Sequence, residues 1–223
     1  DGGEFDKEAS GWPTSWVFNS ENRSAFLKQI RWFSSNHHAQ FGLLLTPLVD
    51  GIRACGPFHP IPDGLRVAPK LVLLDGEGIG HSARAASSIS TRVTRRFSDT
   101  DLILIVDNAE QPMQTAPLEL LRSIGSSGHA DKLAVAFTHF DLVKGPNLNT
   151  QALKRDHVLG SARDAIGTLR QALGAPVATQ LEARLDSCAY FLGGLDREIS
   201  GIPKGFQDQI RDLAAQLAQQ QVS

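Results

Sequence analysis

The chain has 223 residues and a formal net charge of −2, with 41% hydrophobic and 21% charged residues. These values are ordinary for a soluble globular protein of one domain with appendages, and without a basic stripe they exclude a nucleic-acid partner. No apolar run is long enough to cross a bilayer, and nothing indicates peripheral membrane contact. With only Cys55 and Cys188 as cysteines, we expect a reducing, cytoplasmic location rather than a disulfide scaffold.

The first predicted element is a helix in the N-terminal part of the chain. Ser20 supplies a capping residue, and Phe26, Ile30 and Phe33 follow at helical intervals. Because the chain does not begin with Met, we interpret residues 1–41 as a helical segment that continues from an upstream part of a longer protein.

Two runs rich in β-forming residues follow this helix. TPLVDGIRACGPF and GLRVAPKLVLLD are separated by HPIPDG, whose proline, glycine and aspartate residues are typical of a turn. The two runs therefore predict an antiparallel β-hairpin.

Helical and strand patterns alternate in the second half of the chain. The segments SARAASSISTRVTRRFSDT and APLELLRSIGSSG and residues 151–173 have helical patterns. DLILIVDNA and KLAVAFTHFD are continuous apolar runs, which predict strands buried on both faces, and EARLDSCAYFLGG contains a short last strand. This alternation predicts an α/β domain with a mostly parallel sheet over residues 42–200, closed by an amphipathic helix over residues 201–223.

Acidic residues follow three of the predicted strands, namely Asp75, Asp107 and Asp141. The carboxyl ends of parallel strands meet at one edge of the sheet, and ligands of α/β proteins bind at that edge. The three acids are therefore candidates for a ligand-binding site.

The stretch LVLLDGEGIGH contains a glycine-rich turn with two interpretations. In a dinucleotide-binding loop, Gly76 and Gly78 would fill the first two glycine positions, but His81 occupies the third. In an Asp-x-x-Gly turn, Asp75 can hold Mg²⁺, because this cation prefers oxygen ligands, and Gly78 can bring its backbone N–H close to a phosphate. The first interpretation implies a dinucleotide-dependent oxidoreductase and the second a nucleotide triphosphate switch.

Three other features favour the second interpretation. Thr46 begins the first strand of the predicted hairpin, THFD (Thr138–Asp141) ends a buried strand, and YFLGGLD places Gly193 and Gly194 after the last strand. In this order the chain resembles the P-loop GTPases over residues 42–200. Among them it is most similar to the large GTPases of the dynamin, septin and guanylate-binding style.

The resemblance implies a three-layer P-loop NTPase-like domain with flanking helices, which binds GTP or GDP with Mg²⁺ and hydrolyses GTP. It implies that Asp75 and Thr46 hold Mg²⁺, that the Gly78 N–H and Thr46 sense the γ-phosphate, and that His81 is a catalytic candidate. Since such proteins often act as dimers, the resemblance also implies a homodimer.

For the base, the resemblance implies that Asp141 accepts hydrogen bonds from the guanine N1–H and amino groups. Thr138 and His139 would complete and cover this site, while Gly193 and Gly194 would let the backbone approach the purine. Adenine offers no matching pair of donors, so a buried acid at this position would select guanine.

The chain departs from the family pattern in three places. It contains no Gly-x-x-x-x-Gly-Lys-Ser/Thr loop and no Gly-Lys dipeptide, so we expect this polypeptide to bind GTP weakly or not at all, while the longer parent protein binds it well. Ile79 stands where many GTPases carry a water-orienting Gln, and His139 replaces the usual Lys. A GTPase-like interaction module without hydrolysis is therefore the main alternative function.

Overall fold

The computed structural model describes residues 3–34, 45, 51–56, 72–74, 89, 91–197 and 199–219. The chain divides into two compact units, Asp1–Pro57 and Phe58–Ser223. The strands are β1 (Glu4–Lys7), β2 (Pro13–Val17), β3 (Ile103–Asn108), β4 (Leu133–Thr138) and β5 (Ala189–Phe191). The α-helices are α1 (Arg23–Ser34), α2 (Thr91–Asp99), α3 (Thr115–Ser126), α4 (Gln151–Leu173), α5 (Ala175–Ser187) and α6 (Lys204–Gln219).

The first unit contains a strand pair as well as the predicted helix. Strands β1 and β2 pair antiparallel, and the turn between them places Gly11 at φ 83, where a residue with a side chain would be strained. The sequence pattern, which predicts a helical segment over residues 1–41, does not predict either strand. Trp16 of β2 stacks on Phe33 of α1 at 4.8 Å, so an aromatic contact joins the pair to the helix.

Helix α1 begins after Asn22 rather than at the predicted cap Ser20. The Asn22 side-chain oxygen accepts a hydrogen bond from the Ala25 N–H at 3.1 Å, which is the contact that defines an N-cap. The Ser20 hydroxyl instead accepts from the Asn22 N–H at 3.1 Å and so supports the cap from outside the helix.

The hairpin predicted from TPLVDGIRACGPF and GLRVAPKLVLLD lies mostly outside the described residues. The parts that the structure does describe, 51–56 and 72–74, are not in strands. The antiparallel pair of the described chain is thus β1 with β2, earlier than the sequence predicts.

The second unit is a mixed α/β structure built on a three-stranded parallel sheet in the order β3-β4-β5. Helix α3 connects β3 to β4, and the pair α4 and α5 connects β4 to β5. These connections are long enough for the crossovers that parallel strands require. Over the described residues of this half of the chain, the predicted strand and helix types are confirmed, apart from α5, which the sequence does not predict; residues 82–88 of the predicted helix before α2 lie outside the described part.

The central strand β4 has the burial that the sequence predicts, but β3 does not. Leu133–Phe137 are all buried, because helices cover both faces of β4. In β3, by contrast, buried and exposed residues alternate, and Val106 is 61% exposed. The prediction that β3 is buried on both faces is therefore wrong: β3 lies at the end of the described sheet, where the face carrying Val106 is not fully covered.

Two hydrophobic clusters hold the sheet between helices. The larger cluster packs residues of α3, α4 and α5 against one face, including Leu121, Val158 and Leu181, which are fully buried. The smaller cluster on the other face contains Ala134, Ala136, Cys188, Tyr190 and Leu192, with Ile210 and Leu213 of α6 packed against it. None of the described helices is long and apolar enough to cross a membrane.

Candidate functional site

The carboxyl ends of β3, β4 and β5 bring three predicted polar segments to one edge of the sheet. These segments are Asp107, the stretch Thr138–Asp141 and the pair Gly193 and Gly194. Because the strands are parallel and in register, with Asn108 opposite Thr138 and Phe137 opposite Phe191, all three segments leave the sheet on the same side.

Asp107 is a structural carboxylate rather than an available ligand. It is 8% exposed, and its two oxygens accept hydrogen bonds from the Asn108 N–H at 2.9 Å and the Met113 N–H at 2.7 Å. Burial raises its pKa above the ordinary 3.8, and the two backbone hydrogen bonds lower it by less. Asp107 thus organises the turn after β3, in which Met113 adopts a positive φ of 56°.

Thr138 joins the end of β4 to the end of β3. Its hydroxyl donates to the Asp107 carbonyl at 3.0 Å, and its own carbonyl accepts from the Ala109 N–H at 2.9 Å. The Thr138 side chain is therefore committed to holding the two strand ends together.

His139 occupies a left-handed backbone position directly after β4. Its φ is 57°, which is uncommon for a residue with a side chain and which often marks a functional turn. The imidazole is exposed, and its Nδ1 lies 3.2 Å from the Thr138 hydroxyl. This turn lifts the His139 ring out of the sheet edge, where it can cover a bound group.

Asp141 differs from Asp107 because it keeps hydrogen-bonding capacity. It lies in the 3₁₀ turn Phe140–Leu142, and its Oδ1 accepts a hydrogen bond from the Gly194 N–H at 3.2 Å. Within the part of the chain that the structure describes, its Oδ2 has no hydrogen-bond partner. Asp141 is also more exposed than Asp107, so solvent or a ligand can reach this oxygen.

The glycines at 193 and 194 allow the loop after β5 to approach Asp141. A Cβ on Gly193 would lie 2.7 Å from Asp141 Oδ1 and 2.7 Å from Phe206 Cε2, closer than real contacts permit. Gly194 has a φ of +66°, which favours glycine. The structure therefore brings Asp141, Gly193 and Gly194 together, although the loop and the acid are far apart in the sequence.

An aromatic cluster lies beneath these loops, and sequence reasoning missed it. The centroid of the Phe191 ring lies 5.5 Å from that of Phe137 and 4.8 Å from that of Phe140. The ring centroids of Phe140 and of Phe206 on α6 are 6.3 Å apart. The guanidinium carbon of Arg155, on α4, lies 4.7 Å above the Phe191 ring. No local sequence signal reveals this cluster, since its members come from β4, the turn after β4, β5, α4 and α6.

A small cavity of about 260 Å³ lies next to the turn that carries Asp141. It is lined by Glu110, Leu142, Val143, Lys144 and His157. The lining therefore combines one carboxylate, one ammonium group and one imidazole with the apolar side chains of Leu142 and Val143. None of them was a predicted site residue.

The remaining predicted site residues, Thr46, Asp75, Gly78 and His81, lie outside the described residues. Among the described residues, no group of three or more His, Cys, Asp or Glu side chains is arranged to hold a metal ion.

Comparison of the chain with protein-family models, curated proteins and solved structures gives no match.

Proposed function

We propose that the chain is a guanine-nucleotide-binding domain whose base-binding half is formed by the ends of β4 and β5. One observation carries the proposal: the 3.2 Å hydrogen bond from the Gly194 N–H to Asp141 Oδ1. It joins an acid suited to reading guanine to a glycine loop suited to backbone contact with a purine, across 53 residues of sequence.

The carboxylate of Asp141 has the capacity that a guanine base requires. An ionised carboxylate offers about four lone-pair sites, and Gly194 uses one of them. Guanine presents its N1–H and its 2-amino group side by side, so one carboxylate can accept from both. Adenine has no such pair of donors. Binding of adenine would therefore leave the Asp141 carboxylate without hydrogen-bond partners on the base, which would cost about 1–3 kcal/mol, or roughly five- to 150-fold in affinity.

His139 and the two glycines suit the remaining contacts of a purine. The exposed imidazole of His139 can lie against the face of the base, as an aromatic ring does in an offset stack. The absence of side chains at Gly193 and Gly194 leaves the loop backbone open to the base edge.

Hydrolysis of GTP is the further part of this proposal and rests on the sequence pattern. Asp75 and Thr46 would hold Mg²⁺, and Gly78 and His81 would lie near the γ-phosphate, in a three-layer P-loop NTPase-like domain. Support for that architecture comes from the parallel order β3-β4-β5 and from helices packed on both faces of β4. The metal would neutralise charge on the phosphates.

A GTPase-like module that binds partners without hydrolysis is the second candidate function. It is favoured by the absence of a Gly-Lys dipeptide from the chain and by Ile79, whose side chain cannot orient a water molecule. A domain of this kind would keep the base site and lose turnover, so base binding and hydrolysis need separate tests.

Base recognition is best tested by titrating the 223-residue chain with GDP or ADP, each with Mg²⁺, while following backbone amide signals by NMR. This method detects millimolar dissociation constants, so it suits a chain without a complete phosphate site. We expect saturable shifts at Gly194 and His139 with GDP and much weaker ones with ADP. Equal shifts with both nucleotides, or none with GDP, would contradict the proposal.

The Asp141→Asn substitution tests the role of the acid directly. An amide at this position can donate to the 2-carbonyl of xanthine but clashes electrostatically with the guanine amino group. We expect GDP affinity to fall about tenfold or more and xanthosine diphosphate affinity to rise. Asp164→Asn is the matched control, because it removes the same charge from the exposed surface of α4. Retained preference for GDP in Asp141→Asn would reduce Asp141 to a structural role.

A further inference from the structure

The Phe191 ring is the central contact between the two base-binding segments, which are Thr138–Asp141 at the end of β4 and Gly193 with Gly194 after β5. It is 3% exposed and packs against Phe137, which directly precedes Thr138, and against Phe140, which lies in the turn directly before Asp141. Two backbone hydrogen bonds of the next residue, Leu192, join the same segments. The Leu192 N–H donates to the Phe137 carbonyl at 2.8 Å, and the Phe140 N–H donates to the Leu192 carbonyl at 3.0 Å. Movement of Phe191 would therefore shift both segments.

Arg155 is the charged group that covers this ring. Its guanidinium carbon lies 4.7 Å from the centroid of Phe191, within the distance at which cation–π attraction is significant. In the described residues, the Arg155 side chain makes no ion pair and no hydrogen bond. Its neighbours in sequence on α4 do not contact Phe191 in this way, so the contact is specific to this side chain.

A comparison within α4 shows that Arg155 is unlike the other arginines of the helix. Arg163 pairs with Asp186 at 2.6 Å and Arg170 pairs with Glu182 at 2.7 Å, so both join α4 to α5 through exposed ion pairs. Such pairs contribute little to stability. Arg155 instead lies in the first turns of α4, next to the strand ends, and its partner is a buried ring.

From this geometry we propose that Arg155 is a positioning residue for base recognition, an inference that rests on the proposed guanine site. Its guanidinium fixes Phe191, and Phe191 fixes Phe140 and the loop after Leu192. The result is a constant separation between Asp141 and the Gly194 N–H, which is the separation on which selection of guanine depends.

The test compares three variants of the 223-residue chain with the unaltered chain. Arg155→Met keeps a long stem and removes the charge, Arg155→Lys keeps a cation, and Arg163→Met removes an exposed arginine from the same helix. Two quantities are measured: the hydrogen-exchange rate of the Gly194 amide without nucleotide, and the GDP dissociation constant from the NMR titration.

In Arg155→Met we expect both quantities to rise about two- to fivefold, the size of an exposed cation–π contact. Arg155→Lys should keep both quantities close to those of the unaltered chain, because it keeps the cation. Arg163→Met should change neither quantity. The Val135 amide, which donates to the Cys188 carbonyl within the sheet, reports general stability, and its exchange should change less than that of Gly194.

The proposal is overturned if Gly194 exchange in Arg155→Met matches that of the unaltered chain. It is also overturned if the Val135 and Gly194 amides accelerate by the same factor, since Arg155 would then act on stability alone. Absence of GDP binding by the unaltered chain would overturn the guanine site. The exchange rates would in that case still decide whether Arg155 positions the loop.

Discussion

Asp107 and Asp141 are both acids at the carboxyl end of a strand in the same sheet, yet they have opposite roles. The oxygens of Asp107 accept from the Asn108 and Met113 N–H groups inside a closed turn, and the side chain is buried. Asp141 accepts one hydrogen bond from a distant loop and keeps one oxygen without a partner in the described part of the chain. The difference teaches that a strand-end acid is available to a ligand only if the turn that follows leaves its oxygens free.

The largest expected effect is the loss of stability when Asp107 is replaced. Asp107→Ala leaves two backbone N–H groups without acceptors in a buried turn, at about 1–3 kcal/mol for each. We therefore expect the free energy of unfolding to fall by about 2–4 kcal/mol, measured by urea denaturation. Asp141→Ala is the comparison and should cost about 1 kcal/mol or less, because it removes one hydrogen bond at a more exposed site. Equal losses in the two variants would remove the distinction between the acids.

The second effect concerns the close approach of Gly193 to Asp141. Gly193→Ala places a methyl group 2.7 Å from Asp141 Oδ1 and 2.7 Å from Phe206 Cε2, so one of them must move. We expect a loss of about 1–3 kcal/mol in urea denaturation, together with weaker GDP binding.

A glycine on α4 provides the control for this substitution. Gly167 is helical and has nothing within 4 Å of an added Cβ, so Gly167→Ala should raise the free energy of unfolding by about 0.5–1 kcal/mol. A neutral or stabilising Gly193→Ala would show that the loop after β5 does not press against Asp141.

A smaller effect is expected at Gly194, whose φ of +66° is strained for residues with side chains. Gly194→Ala should cost about 1–2 kcal/mol, while Gly194→Asn should cost less, because asparagine visits this backbone region more readily. Thermal unfolding of both variants measures the difference. An alanine variant as stable as the asparagine variant would contradict the left-handed geometry that presents the Gly194 N–H to Asp141.

The smallest effect is the dependence of stability on pH through Asp107. Burial is the main influence and raises its pKa above the ordinary 3.8, so the folded protein holds this proton more tightly than the unfolded chain does. The stability that the protonated Asp107 carboxyl contributes to the folded protein is therefore fully present below pH 3.8. It is lost as the pH rises through the raised pKa of the folded state.

The measurement is the difference in free energy of unfolding between the unaltered chain and Asp107→Asn, followed from pH 3.8 to neutral pH. We expect the difference, unaltered minus variant, to fall as the pH rises towards neutrality. A difference that grows with pH would mean that the hydrogen bonds from Asn108 and Met113 outweigh the desolvation of the carboxylate.

Much of the second unit follows from local pattern. The predicted helix 151–173 coincides with α4, and the apolar runs in DLILIVDNA and KLAVAFTHFD coincide with β3 and β4. These predictions succeed because the spacing of apolar residues is set by the period of the element itself. The strands β1 and β2 escaped prediction because they are short and mostly exposed, so burial leaves little trace in their sequence.

The candidate site was predictable only in part. The resemblance to GTPases groups THFD and the glycines after β5 into one predicted base site, and in the structure Asp141 and Gly194 are in contact. The contributions of Phe191, Phe206 and Arg155 could not be predicted, because rings and cations on different elements meet only after the sheet and helices have packed.

The amino-acid sequence by itself determined which segments become helices and strands in the second unit, and which polar residues end each strand. The tertiary structure alone decided that Asp107 is enclosed by its own turn while Asp141 faces a loop 53 residues away. The physical reason is range. Helical and strand periods depend on neighbouring residues, whereas the burial and hydrogen-bonding partners of a carboxylate depend on groups that only folding brings together.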